Sequence, residues 1–207
     1  MKRGLAITVV FSMLALVLCA PASAEAYTHP VAGYHLTIPE GWIAVDSANA
    51  DAVIGSGQIS DAMAATITAI RGMIDSALCV FMFRADAAEP PFINISVELK
   101  GELEQDITAD DLLAIAQDYQ AYYLAETEQF PEYTVAMEAG AGQEEGVEYP
   151  MGLLCGVYLK GDYQIAMFQV FIGAGAQFYE FTLTAEAENF EGAATEFMEI
   201  VTSFSAP

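Results

Sequence analysis

The 207 residues carry 29 Asp and Glu against 6 Lys and Arg, a formal net charge of −23. A field of that sign repels phosphate backbones and anionic lipid head groups, which excludes nucleic acid and acidic membrane surfaces as partners and favours cations, basic partners or plain solubility in an external medium. Hydrophobic residues make up 55 % of the chain, enough to fill a sizeable core.

The chain opens as a secretion leader. Lys2 and Arg3 precede an apolar run over residues 5–18, and Ala22-Ser23-Ala24 supplies an A-x-A cleavage pattern. Residues 1–24 are therefore read as a signal peptide and residues 25–207 as one extracytoplasmic domain; Ala24-Glu25-Ala26 offers a second cleavage point. The apolar run is too short for an ordinary membrane span, and no other segment is long and apolar enough to be one. Cys19 raises lipid anchoring as the alternative, although Leu18 is larger than the residue such sites want before the cysteine.

Residues 33–42 read as strand, tight turn, strand: Tyr34, Leu36 and Ile38 alternate with His35 and Thr37, Pro39 and Gly41 supply the turn, and Trp42 opens the return. Ser60-Asp61 caps one amphipathic helix with Met63, Ile67, Ile70 and Ile74 in line. A buried strand over residues 78–83 follows, then a half-buried one over 92–100 with Ile93, Ile95, Val97 and Leu99 inward and Asn94, Ser96, Glu98 and Lys100 outward. Thr108 caps a long helix whose first turn holds Asp110 and Asp111 and whose core stripe is Leu112, Ile115, Tyr119 and Tyr122 or Tyr123. Pro131 ends that region, and a short strand at 133–137 leads into a Gly- and Glu-rich loop over 138–146. Strands at 149–159, 163–172 and 177–184 form a meander turning at Gly161-Asp162 and Gly173-Ala174-Gly175. The middle one is apolar on both faces, which demands covering layers on both sides of the sheet. With a last helix over 189–204, carrying Phe190, Ala194, Phe197, Val201 and Phe204 in line, the expected fold is an α/β (α+β) class α/β/α sandwich around a mainly antiparallel sheet of six or seven strands.

Catalytic motifs are sparse. His29 and His35 are the two histidines; there is no G-x-S-x-G, HExxH, CxxC or P-loop, and no cofactor is expected. Cys79 and Cys155 each lie in an apolar strand-like segment, either as a disulfide formed outside the cytoplasm or as two buried thiols on different strands. The candidate metal ligands are Glu102, Glu104 and Asp106, beside Asp110 and Asp111, and Glu144, Glu145 and Glu148; neither run has the alternating pattern of an EF-hand, so solvated loops are the plainer reading. Tyr119, Tyr122 and Tyr123 could line a groove, but their helical spacing favours packing, and Asn94-Ile95-Ser96 is a formal glycosylation sequon inside a strand.

The turn through Trp42, the long central helix, the meander and the closing Phe197-x-x-Ile200-x-x-Ser203-Phe204 together resemble PsbP-like domains over residues 27–204. That family includes the photosystem II extrinsic protein, bacterial secreted proteins and a Ran-binding import factor. The resemblance implies an α/β/α sandwich without established catalysis, and no functional residue carries over; the strong acidity argues against a photosystem role. The expectation is a secreted or surface-held, non-catalytic binding or accessory protein whose partner is another protein or a small ligand of the cell envelope. A calcium-binding or cation-responsive protein is the alternative, and an envelope hydrolase using His35 a further one.

Overall fold

The computed structural model describes residues 24–207 apart from residues 77, 91 and 144–147; Cys19 and all but Ala24 of the expected signal peptide lie outside the described residues. The elements run β1 (Glu25–Thr28), β2 (His35–Ile38), β3 (Trp42–Val45), α1 (Ala50–Gly55), α2 (Asp61–Ala69), α3 (Arg71–Ser76), β4 (Cys79–Arg84), β5 (Asn94–Glu102), α4 (Ala109–Ala125), β6 (Thr134–Gly142), β7 (Met151–Lys160), β8 (Tyr163–Ala174), β9 (Gln177–Glu186) and α5 (Phe190–Thr202). Seven strands form one antiparallel sheet in the order β3-β4-β5-β9-β8-β7-β6, and β1 pairs with β2 in a small second sheet.

The two-faced β8 sets the layering. Its Ala166, Phe168, Val170 and Ile172 share one face with Tyr179, Phe181 and Leu183 of β9, and α5 buries them under Ala194, Phe197 and Val201. The small sheet extends this cover: Leu36 and Ile38 are buried, and the Tyr34 hydroxyl donates to the Val97 carbonyl at 3.1 Å. On the opposite face α4 packs Leu112, Ala116 and Tyr123 against Leu154, Met167 and Phe171, while α1 to α3 place Met63, Ile67 and Ile74 over Phe83 at the other edge. Gly152 permits the close seating of α4, since a Cβ there would stand 2.8 Å from the Leu112 carbonyl oxygen. Gly161 and Gly175 open the two-residue turns of the meander at φ +64° and +60°, a conformation that favours glycine.

Several expectations need correcting. Residues 33–42 do turn, the Trp42 N–H donating to the Pro39 carbonyl at 3.3 Å, but the strands on either side do not pair. β2 pairs with β1 and β3 with β4, so the turn is a corner between two sheets. Trp42 is instead held from across the fold: its Nε1 donates to Glu196 of α5 at 2.6 Å, and Arg84 donates to both oxygens of that carboxylate at 2.8 and 2.9 Å. The helix expected as one piece over Met63 to Ile74 is two, broken at Ile70. The Thr66 and Thr68 hydroxyls donate to the Ala62 and Ala64 carbonyls, a back-bonding that competes with the helical ladder and bends it. Residues 138–142 are not loop: β6 continues to Gly142, and two register irregularities against β7 absorb the extra residues.

Cys79 and Cys155 are both buried and free. They stand on β4 and β7 with three strands between them, a separation of about 19 Å at ordinary strand spacing, so the candidate disulfide is not made.

Candidate functional site

On the face that carries α4 and the α1 to α3 group, these helices cover the two edges of the sheet and leave its centre to polar side chains. Pairing of β5 with β9 and of β9 with β8 lays out three rows: Glu98, Glu180 and Phe171; Ser96, Thr182 and Gln169; Asn94, Thr184 and Met167. The outward residues of β5 are thus the floor of a groove rather than a solvated surface.

One end of that floor is tied into a network. Glu180 accepts from the Tyr119 hydroxyl at 2.8 Å, from Gln169 Nε2 at 2.8 Å and from the Thr182 hydroxyl at 3.1 Å. Gln169 is buried and satisfied at both ends, its Oε1 accepting from the Tyr123 hydroxyl at 2.9 Å. Lys100 shares the outward face of β5 with Glu98, beside the β5–β9 register shift between Leu99 and Gly101, and its ammonium lies 3.1 Å from Glu98 and 3.5 Å from Glu180. Burial works against the Lys100 charge, but Glu180 and Glu98 outweigh it and hold its pKa above the ordinary lysine value. Two carboxylates facing each other across adjacent strands would repel, and the Lys100 ammonium between them offsets that repulsion.

The other end is open. Around Asn94 and Thr184 the floor falls into a cavity of about 150 Å³, walled by Phe83 and Ile165, roofed by Thr66 of α2 and by Pro90 and Phe92 of the loop after β4, with Lys160 at the rim.

The sequence-flagged residues are distributed differently. Glu102 ends β5, Glu104 and Asp106 lie in the loop before α4, and all three are exposed, as is Glu148; Glu144 and Glu145 fall outside the described residues. Among the described residues no group of three or more His, Cys, Asp or Glu side chains converges as a metal site. Asp111 is committed to the start of α4, where it accepts from the Thr108 N–H and hydroxyl, bonds that hold its carboxyl below the usual carboxylate range. Burial pushes the Cys79 and Cys155 thiols up to about 12, which removes them as thiolate nucleophiles. His35 is exposed and bonded to Thr28, while His29 is buried beside Tyr34. Sequence reading missed the groove residues Gln169, Glu180, Thr182, Thr184 and Lys160; the one with a signal was Gln169, an amide in the middle of the otherwise apolar run Met167-Phe168-Gln169-Val170-Phe171.

A central antiparallel sheet, a C-terminal helix on one face and a long helix with a helical cluster on the other match solved structures over nearly their whole length. The solution structure of cyanobacterial PsbP (CyanoP) from Synechocystis sp. PCC 6803 aligns with a TM-score of 0.56, covering 93 % of this chain and 99 % of that one at 18 % identity. The fold is PsbP-like. The crystal structure of LpqN, involved in cell envelope biogenesis of Mycobacterium tuberculosis, aligns with a TM-score of 0.53, covering 89 % of this chain and 91 % of that one at 14 % identity. No protein-family model and no curated protein matches the chain. At these identities the likeness is one of architecture, so the chemistry of this PsbP-like chain has to be argued from its own groove.

Proposed function

We propose that residues 25–207 act as one extracytoplasmic domain that binds another molecule, without catalysis of its own, as an accessory component of the cell envelope. The observation that carries this reading is the groove left open between two helical covers on the central strands of the sheet, polar along its floor and recessed at one end. The likeness in fold to a protein of envelope biogenesis supports the compartment, as does the leader-like N-terminus. No helix among the described residues is long and apolar enough to cross a membrane. Cleavage after Ala24 would leave β1 whole, with Glu25 opposite Ile38, whereas cleavage after Ala26 would remove half of that strand.

Two measurements test the proposal. Intact mass of the exported protein is expected to correspond to a chain starting at Glu25; a start at Met1 would remove the extracytoplasmic reading. A photoreactive side chain in place of Ser96, on the groove floor, is expected to give envelope adducts that the same group in place of the exposed Glu128 does not give. Identical adduct patterns from the two positions would overturn the assignment of binding to the groove.

A further inference from the structure

The four Lys and Arg side chains among the described residues are not used alike. Arg71 pairs with Asp51 and Asp75, Arg84 with Glu196 and Asp86, and Lys100 with Glu98 and Glu180. Lys160 makes no ion pair among the described residues, in a chain with 29 acidic residues to choose from. It stands at the end of β7, one residue before the Gly161-Asp162 turn, on the rim of the 150 Å³ cavity. On this face of the sheet Glu186 stands opposite Ile165, and its carboxylate accepts from Asn189.

The cavity itself has two kinds of wall. Phe83, Phe92 and Ile165 offer apolar surface, and the volume is that of a cavity known to hold a single benzene ring. Thr184 and Asn94 place a hydroxyl and an amide on the floor beside them, with Asn94 Nδ2 using one of its hydrogens on the Phe92 carbonyl. Apolar walls, a few polar groups and one uncommitted cation at the mouth are the ingredients of a site for a small amphipathic anion. Lys160 can offset one negative charge on a ligand against the field of the whole chain, and every further one is opposed by that field.

We infer that this cavity takes a small monocarboxylate with an aromatic or short aliphatic body, the body lying against Phe83, Phe92 and Ile165 and the carboxylate meeting the Lys160 ammonium. The inference rests on the proposed binding role of the groove and gives it a ligand class.

The test is a titration of the protein with benzoate at low ionic strength, followed by amide NMR, with toluene and inorganic phosphate as controls. Benzoate is expected to move the amides of Asn94, Ile165 and Thr184 saturably. Lys160→Met is expected to weaken benzoate about tenfold while leaving toluene unchanged, and Lys160→Arg to restore most of the loss. Lys160 is exposed at a strand end, so neither variant threatens the fold. The inference is overturned if benzoate leaves those amides unmoved, if Lys160→Met binds it as well as the natural protein does, or if phosphate moves the same amides. Groove-specific adducts from the Ser96 position together with silent benzoate titrations would sink the ligand class alone, whereas benzoate binding without such adducts would sink the accessory role alone.

Discussion

His29 is a titratable group with almost no access to water, 2 % exposed, its ring centroid 4.8 Å from that of Tyr34. Its Nδ1 accepts from the Ala32 N–H at 2.9 Å and the Val31 N–H at 3.3 Å, an arrangement open only to the neutral ring. Burial pulls its pKa below the ordinary 6.5, partly offset by the Cys79 backbone and by Asp46. With the folded value depressed for a base, the unfolded chain binds the proton more readily; the stability contributed is complete above the unfolded pKa and is lost as pH falls from there through the folded one. His29→Asn, whose side-chain oxygen can accept the same loop N–H groups, is expected to melt below the natural protein near neutrality, with the gap narrowing on acidification to about pH 5. Parallel melting curves across that window would mean that His29 takes up its proton equally in the folded and unfolded chains, so that burial does not depress its pKa. Sequence reading placed His35 outside correctly, from its alternation with Tyr34 and Leu36. It had no means of placing His29, because the burial there comes from Tyr34 and from strands distant in sequence.

The long helix α4 begins where its sequence says it should. Thr108 accepts from the Asp111 N–H at 3.2 Å and Asp111 accepts in return from the Thr108 N–H at 2.9 Å, a reciprocal capping box readable from Thr-x-x-Asp. Thr108→Ala is expected to cost about 1 kcal/mol, a fall in Tm of about 3 °C, and Thr108→Ser to recover most of it; a fall of similar size in Thr108→Ser would place the effect in the methyl group rather than the cap. Turns and caps were legible in this way because their chemistry lies within four residues. Pairing was not: nothing in residues 33–42 says that Ile38 faces Glu25 while Trp42 faces Arg84, because both partners lie outside that stretch. Composition misled at residues 138–142, since a glycine-rich edge strand gets its hydrogen bonds from β7 and needs little from its own side chains. Helix α1 left only a faint trace in sequence, Asp46 and Asn49, where the Asp46 carboxylate accepts from the Ala48 and Asn49 N–H groups just before the helix.

The whole chain folds against its own charge. Three of its four described cations are spent on neighbouring carboxylates, and the remaining excess is spread over a surface that must repel itself. Sodium chloride is therefore expected to raise Tm, most steeply below about 0.15 M where screening changes fastest, and calcium chloride at equal ionic strength to do so without a saturable excess. A fall in Tm with sodium chloride would mean that the ion pairs outweigh the repulsion; a saturable calcium excess would revive a cation site. The architecture at this scale was the most legible of all, because one strand, residues 163–174, is apolar on both faces but for Gln164 and Gln169 and requires cover on each. The groove was not, since the same outward Asn94, Ser96 and Glu98 would serve a bare surface equally well; only the positions of α2 and α4 make them a floor. Trp42 brings out how separate the two faces are. It is the chain's one tryptophan, clamped by Glu196 and Arg84 under the C-terminal helix, on the side of the sheet away from the groove. Its emission will follow the undocking of that helix and stay dark to whatever fills or leaves the groove, so an optical reporter of occupancy has to be installed on the opposite face.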